Sequence, residues 1–425
     1  MDASLDRRIS RFYRRWHDLE ATLGAHKGLV IDFDMAPRPP DGQGPPPFPS
    51  RSSAIRECSD LVDILEKFLP GAPFADDPAG PRNPSYSHTK LTGSLVYLWA
   101  LAGERRTFDA YLTATMGIRA HRICDATLDA RRARAREYCA YFGIPWKPEG
   151  GTLLRSQLGR PNLDGFEAEL RSAAIEQCGR LRRLLPDLPE PEYRIDVVRE
   201  DAYWCNWIDG TAEDGVVLRV NTHPRHDYMK TSPVSLAAHE IAGHAAHVTT
   251  LRQQADLGRI DGSSLNLTVH ACDAFQMEGI AQVALSVLAE VGEDAAPPSR
   301  DHQLLEALRD LSGDTMGNAQ LAVEEGRPMA EVWDSLQEAL PLAGASSLQA
   351  SLRDRSRSPL HRAYIHVYAP SKRMFSRILD IAPDARGRVI RALYEELWTP
   401  GQIELLIQGT PRDTVRRTHC SAPLA

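Results

Sequence analysis

The sequence lacks the cysteine pattern of a disulfide scaffold or of a Cys-type zinc site. Its 425 residues include seven cysteines, an odd number with long spacings and no CxxC pair. Small disulfide-rich domains and cysteine zinc sites need closely and regularly spaced cysteines. We therefore exclude both and expect a reducing compartment.

Long apolar runs and excess positive charge are also missing. No stretch of 18 apolar residues exists, and the start, MDASLDRRISRFYRRW, has no apolar signal region. We therefore expect no membrane partner and a cytoplasmic location. The net charge of −7 argues against a protein that coats nucleic acid. Only six of the 50 basic residues are lysine, and this arginine bias suggests a GC-rich bacterial genome.

The apolar periodicity predicts a mainly α-helical fold. Helices are expected at 3–23, 51–69, 88–143 and 163–185, and again from 233 to 410, with Pro-rich linkers at 36–50 and 70–84. One β-rich stretch, 192–223, carries turn signals at Asp209-Gly210 and Asp214-Gly215 and predicts a small antiparallel sheet just before the helix at 233. We divide the chain into an N-terminal region (1–85), a helical subdomain (86–190) and a catalytic region (191–425).

The segment LAAHEIAGHAAHV (236–248) places three histidines and a glutamate on an otherwise small and apolar helix. Such groups are costly to bury unless they are paired or bind a metal. His239 and His244 are five residues apart, about 140° on a regular helix. A π-type turn near Gly243 would bring them together, and such turns favour functional sites. The alternative is a regular helix on which Glu240, His244 and His247 share a face.

A catalytic zinc usually has three protein ligands and an open position. Glu278 lies in the apolar stretch FQMEGIAQ of the next predicted helix, where an isolated carboxylate needs a partner. We therefore predict Zn²⁺ bound by His239, His244 and Glu278, with His270 as the rival third ligand. Gln282 and Asp273 are candidates to support a ligating histidine.

These residues resemble the HExxxH zinc peptidases whose third ligand is a downstream glutamate, such as dipeptidyl peptidase III and the tubulin tyrosine carboxypeptidases. The strand GVVLRVNTH, the motif SLAAHEIAGHAAH and the segment MEGIAQ are also similar to a bacterial family of predicted zinc peptidases of unknown function. HRAYIHVYAPSKRMFSRI (361–378) looks like the Arg/Tyr/Pro segment of that family. The resemblance covers about 190–380 and implies a multi-helix zinc-peptidase-like fold and amide hydrolysis.

The expected chemistry is hydrolysis by a zinc-activated water, with Glu240 as the general base. Tyr368 is the candidate donor to the developing oxyanion. The candidate substrate-binding residues of the same segment are Arg362, Tyr364 and His366. Either Arg362 or Lys372 is expected to bind a substrate carboxylate, and strand 216–221 is expected to pair with an extended substrate as an edge strand. The substrate would be a short peptide or one small molecule, for example in a biosynthetic pathway.

Two other classes of function remain open from the sequence. One is a metal-dependent oxidoreductase, with di-iron or mononuclear iron held by Glu240, His244 and His247. The other is a non-catalytic helical protein with a degenerate metal motif. About one zinc per chain favours the hydrolase, whereas iron in pairs favours the oxidoreductase.

Overall fold

The computed structural model describes residues 3–24, 30–37, 44–72, 81–159, 165–201, 205–224, 226, 228–291 and 297–410. The fold is mainly α-helical, as predicted. The first seven helices are α1 (Ala3–Thr22), α2 (Arg51–Glu66), α3 (Pro84–Leu101), α4 (Phe108–Met116), α5 (Asp125–Tyr141), α6 (Pro148–Gln157) and α7 (Phe166–Leu184). Parts of both predicted Pro-rich linkers, 38–43 and 73–80, lie outside the described residues.

The remaining helices follow the β-rich stretch. A π helix (Ala237–Ala245) joins α8 (Ser232–Leu236) to α9 (Ala246–Asp256) without a break, and short 3₁₀ helices lie at Gly262–Leu265 and Arg377–Asp380. The others are α10 (Asp273–Leu288), α11 (Arg300–Glu324), α12 (Met329–Ala339), α13 (Ala345–Arg357), α14 (Pro359–Ser376), α15 (Pro383–Glu395) and α16 (Pro400–Gln408).

The sheet is mixed, which corrects the prediction of an antiparallel one. Its order is β2 (Tyr193–Val198), β4 (Gly215–Asn221), β3 (Asn206–Thr211), β1 (Phe33–Asp34) and β5 (Asn266–Leu267). β3 and β4 form the expected antiparallel hairpin, but β2 runs parallel to β4 and β1 runs parallel to β3. The two short strands come from distant parts of the chain and could not be recognised from the β-rich stretch.

Strand β4 is not an edge strand, because β2 and β3 pair with it on either side. The predicted pairing of 216–221 with a substrate is therefore wrong. The edge strands of the sheet are β2 and β5, and β3 is unpaired over part of one side. Within the described residues, β1 pairs only with Gly210 and Thr211, so the segment 206–209 has no strand beside it on that side.

One of the two predicted turns is also wrong. Asp214-Gly215 does turn the chain, with Gly215 in the left-handed region at φ +69°. Asp209-Gly210 lies inside β3 instead. A Cβ on Gly210 would lie 2.6 Å from Cε of Met35, so the glycine there allows close packing rather than a turn.

The hydrophobic core links all three predicted regions. Its largest cluster includes Trp16 and Leu61 from the first region, Leu98 and Leu112 from the second, and residues of α10, α14 and α15 from the third. A second cluster joins the inner face of the sheet to α7, the π helix and α9. The division at 85 and 190 stays a prediction, and the candidate site lies where the π helix, α10 and α14 meet.

Candidate metal centre

The HEIAGH motif forms the predicted wide turn. Residues Ala237–Ala245 adopt a π helix, with the i→i+5 hydrogen bonding that the His239–His244 spacing requires. Gly243 packs directly on α10, where an added Cβ would lie 2.7 Å from Cα of Ala281. The small side chains of this segment therefore allow the π helix to approach the helix that carries Glu278.

We expect Gly243→Ala to destabilise the protein by about 1–3 kcal/mol, because the new methyl group overlaps the backbone of α10. Urea unfolding measures the effect. Gly179→Ala in α7 is the matched control, since no atom lies within 4 Å of the position that its new methyl group would take; it should be neutral or stabilising by up to about 1 kcal/mol. Equal effects of the two substitutions would contradict the close packing.

The two imidazoles of the motif face each other. Their ring centroids lie 4.9 Å apart at an interplanar angle of 83°. One potential ligand atom from each of His239, Glu240 and His244 lies within 4.8 Å of the others. His244 and Glu240 are buried, and the His239 side chain is 24% exposed, so the group opens to solvent on the His239 side.

Glu278 on α10 lies beside this group, next to His239. Its Oε2 lies 3.7 Å from Nε2 of His239, and its Oε1 accepts a hydrogen bond of 2.8 Å from the Tyr364 hydroxyl. The Tyr368 hydroxyl in turn donates to that of Tyr364 at 2.7 Å. Burial raises the pKa of Glu278 to about 7, while hydrogen bonds from Tyr364, Tyr368 and Gln282 act to lower it. Gln282 therefore supports Glu278, whereas the sequence predicted that it supports a histidine.

Glu240 is oriented by a residue of the sheet. Asn206, at the start of β3, donates from Nδ2 to Oε1 of Glu240 at 2.6 Å. Burial raises the pKa of Glu240 to about 8, with further increases from the charges of Glu278 and Asp32, while the Asn206 hydrogen bond lowers it. The Glu240 carboxylate therefore has a fixed direction beside the two histidines.

Both histidines are held in the neutral form that binds metals. Burial lowers the pKa of His239 to about 4, and the positive charge of Arg309 lowers it further. The His239 ring also hydrogen-bonds to the backbone of Ala281, which fixes the ring. Burial lowers the pKa of His244 well below its usual value.

Two buried atoms of the cluster fit a bound cation. Nδ1 of His244 and Oε2 of Glu278 have no hydrogen-bond partner within the described residues. Leaving such atoms unsatisfied costs about 1–3 kcal/mol each. A metal ion would coordinate both the imidazole nitrogen and the carboxylate oxygen. Two imidazoles and a carboxylate are also a usual ligand set for zinc.

The two rival histidines point elsewhere. His247 is buried against the ring of Tyr394, with centroids 5.8 Å apart. His270 stacks on Tyr97, and its Nε2 lies 3.1 Å from Oγ of Ser94. The structure thus places both rival histidines apart from the group formed by His239, Glu240 and His244.

Other predicted residues also make their contacts away from the cluster. Arg362 forms two hydrogen bonds to Glu324, of 2.7 and 2.8 Å. His366 lies in the core, where Nδ1 is 3.2 Å from Oε1 of Gln320. On α14 these positions alternate with Tyr364 and Tyr368 and face away from Glu278, so the predicted substrate-binding role does not fit Arg362 or His366.

Asp273 does not support a ligating histidine. It forms an ion pair of 2.9 Å with Lys90 and accepts a hydrogen bond of 2.5 Å from Tyr86. These contacts tie α10 to α3. Asp273 therefore positions the helix that carries Glu278 rather than a ring.

Sequence reasoning missed two polar residues of the site. Asn206 lies in the β-rich stretch, where the sequence indicates only the packing of a sheet. Asp32 precedes β1 in the N-terminal region, more than 200 residues from the motif. Burial raises the pKa of Asp32 well above its usual value, with contributions from Asp209 and Glu278. Only the pairing of β1 with β3 places Asp32 here, and no local pattern signals it.

The buried histidines predict sensitivity to acid. Burial lowers the pKa of both His270 and His366 to about 3, whereas an unfolded histidine titrates near 6.5. Below pH ~6.5 the unfolded chain therefore takes up protons that the folded chain does not. Each of these two histidines should therefore lower the free energy of unfolding by up to about 1.4 kcal/mol for each unit by which the pH falls below ~6.5.

Urea unfolding at several pH values between 7 and 4.5 checks this expectation. His366→Gln should unfold with a smaller pH dependence than the wild-type protein, because one of these proton-uptake sites is gone. An unchanged dependence in His366→Gln would contradict the assignment of a neutral, buried His366.

Comparisons with known proteins inform the fold alone. No protein-family model matches the chain, and no curated protein does. The chain is similar to the crystal structure of the putative lipoprotein from Colwellia psychrerythraea, with a TM-score of 0.53 and 11% identity over 85% of this chain and 69% of that one. At this identity the likeness shows a shared fold. In the described part of the chain, no helix has both the length and the apolar character to cross a membrane.

Proposed function

We propose that this protein is a zinc-dependent hydrolase of the metallopeptidase type, which cleaves a peptide or another amide bond. The observation that supports it best is the π helix, because it brings His239 and His244 together beside Glu278. A π turn is costly and rare, so an ordinary surface helix with an HExxxH sequence would stay regular.

His239, His244 and Glu278 would hold the zinc. When bound there, zinc supplies a Lewis acid that polarises the scissile carbonyl and lowers the pKa of a coordinated water. Tyr364 keeps Glu278 in position through its hydrogen bond to Oε1 and leaves Oε2 for the metal. Tyr364 is thus a positioning residue in this proposal rather than a contact to substrate.

Glu240 would act as the general base. It follows His239 directly in the sequence, and Asn206 holds one of its carboxylate oxygens. The other oxygen is available to accept a proton from the attacking water and to pass it to the leaving amine. Tyr368 remains the candidate donor to the oxyanion, and it would exchange its bond to Tyr364 for one to the substrate.

The unpaired side of β3 at 206–209 offers a place for an extended substrate. Its residues 206–209 begin at the side chain that holds Glu240, so a chain paired there passes beside the proposed base. We propose a short peptide or a small acyl amide as the substrate, and a cytoplasmic location.

Hydrolysis assays test this function directly. The zinc-loaded protein should cleave members of a panel of short peptides and N-acyl amino acids, and a chelator should abolish the activity. Readdition of zinc should restore it. A protein that binds zinc stoichiometrically and cleaves no member of the panel would contradict the proposal.

A further inference from the structure

A network of alternating charges lies at one side of the candidate site, between α11, α14 and α5. We call it the rim network. Its cations are Arg131, Arg309, Lys372 and Arg373, and its carboxylates are Glu306, Asp310 and Asp314. Four positive charges against three negative ones leave one positive charge in excess. An anion bound beside the network would balance that excess.

The rim network is joined to the site through α14. Lys372 follows Tyr368 by four residues and Tyr364 by eight, so the three positions lie along one face of the helix. Lys372 forms an ion pair with Glu306, and Oε1 of Glu306 accepts a hydrogen bond of 3.0 Å from Nη1 of Arg309.

Only one cation of the rim network is open to a ligand. The side chains of Arg131, Lys372 and Arg373 are 17–28% exposed, and each contacts Asp310 or Asp314. The Arg309 side chain is 56% exposed, and its contact is with Glu306, three residues away on the same helix. That contact uses Nη1 and leaves the Nε and Nη2 donors, whose planar arrangement matches a carboxylate.

We propose that Arg309 binds the free carboxylate of the substrate next to the scissile bond. The substrate class would then be peptides or N-acyl amino acids that end in a free carboxylate. The sequence offered Arg362 or Lys372 for this role, but Glu324 pairs with Arg362, and Glu306 and Asp310 already neutralise Lys372. This inference rests on the proposed hydrolase function.

Two substrates that differ only at their end test the inference. Hippuryl-phenylalanine carries a free carboxylate, and hippuryl-phenylalaninamide does not. In the zinc-loaded full-length protein, Arg309→Gln should lower kcat/KM for the acid by about 10- to 100-fold, mainly through KM, and for the amide by less than about threefold. Arg309→Lys should recover part of the loss for the acid, because it restores the charge without the planar geometry.

Arg327→Gln is the matched control. Arg327 lies just beyond the far end of α11, its side chain is 51% exposed, and it pairs with Glu331 at 3.9 Å. Its replacement should leave both substrates unaffected. An equal loss for the acid and the amide in Arg309→Gln, or no loss for the acid, would overturn the inference.

A binding measurement separates failure of this inference from failure of the proposed function. If the wild-type protein hydrolyses neither substrate, calorimetry with hippuryl-phenylalanine still decides the role of Arg309. Binding to zinc-loaded Arg309→Gln at least about tenfold weaker than to the wild type supports the inference. Equal binding to the two proteins, or no binding to the wild type, overturns it.

Discussion

Glu240→Gln should keep its bound zinc and lose most of its activity. Glutamine has the shape of glutamate and can still contact Asn206, but it cannot accept a proton from the attacking water. General acid–base catalysis contributes about 10²- to 10⁴-fold, so we expect kcat to fall by that amount. Zinc content and turnover must be measured on the same preparation, so that loss of metal and loss of the base are distinguished.

Glu240→Asp is the companion variant. The shorter side chain draws the carboxylate back from the water, so activity should fall while zinc remains. The alternative arrangement, with Glu240 as a metal ligand beside His244, predicts a different result. In that case Glu240→Gln would lose zinc and activity together, and the role of general base would be wrong.

Replacing Glu278 should remove the metal. Glu278→Ala deletes one of the three proposed ligands and leaves His239 without the carboxylate that lies 3.7 Å away. Loss of a partner outside the ligand set typically weakens metal affinity about 10–100-fold, so we expect a loss greater than about 100-fold here. Zinc affinity is measured by competition with a chromogenic chelator.

Tyr364→Phe is the matched control for this loss. It removes only the hydroxyl that donates to Oε1 of Glu278, and it should weaken zinc binding by about 10–100-fold. His239→Ala and His244→Ala should behave like Glu278→Ala. Stoichiometric, tightly bound zinc in Glu278→Ala would mean that another residue is the third ligand.

The sequence anticipated the centre of the site better than its surroundings. On a regular helix the five-residue interval would separate His239 from His244 by about 140°, so the spacing favoured the π turn that forms over the regular helix that was its alternative. Glu278 stood out because a carboxylate in an apolar helix needs a partner. Both inferences depend on local pattern, which a sequence displays directly.

Residues on α14 show where local pattern fails. The segment 361–378 identified the right helix, but the sequence did not fix which of its faces meets α10. Tyr364 and Tyr368 lie on that face. Arg362 and His366 each lie two residues before one of these tyrosines and contact Glu324 and Gln320 instead. A rotation of about 200° between positions two apart separates a site residue from a core residue.

The sheet was the least predictable part of the fold. Strands of two residues, such as β1 and β5, carry no periodicity, and their partners are set by tertiary packing. The helical stretch predicted from 233 to 410 therefore includes β5, and α10 begins only at Asp273. The same long-range pairing brings Asp32 to the site. The local sequence therefore signals neither β5 nor the position of Asp32.

A crystal structure of the zinc-soaked protein, with anomalous diffraction data collected at the zinc edge, tests the central claim most directly. We predict one strong anomalous peak about 2.0–2.2 Å from a nitrogen of His239, a nitrogen of His244 and a carboxylate oxygen of Glu278. The carboxylate of Glu240 should lie nearby without touching the metal. The absence of a peak at this cluster, or a peak coordinated by Glu240, His244 and His247, would contradict the account.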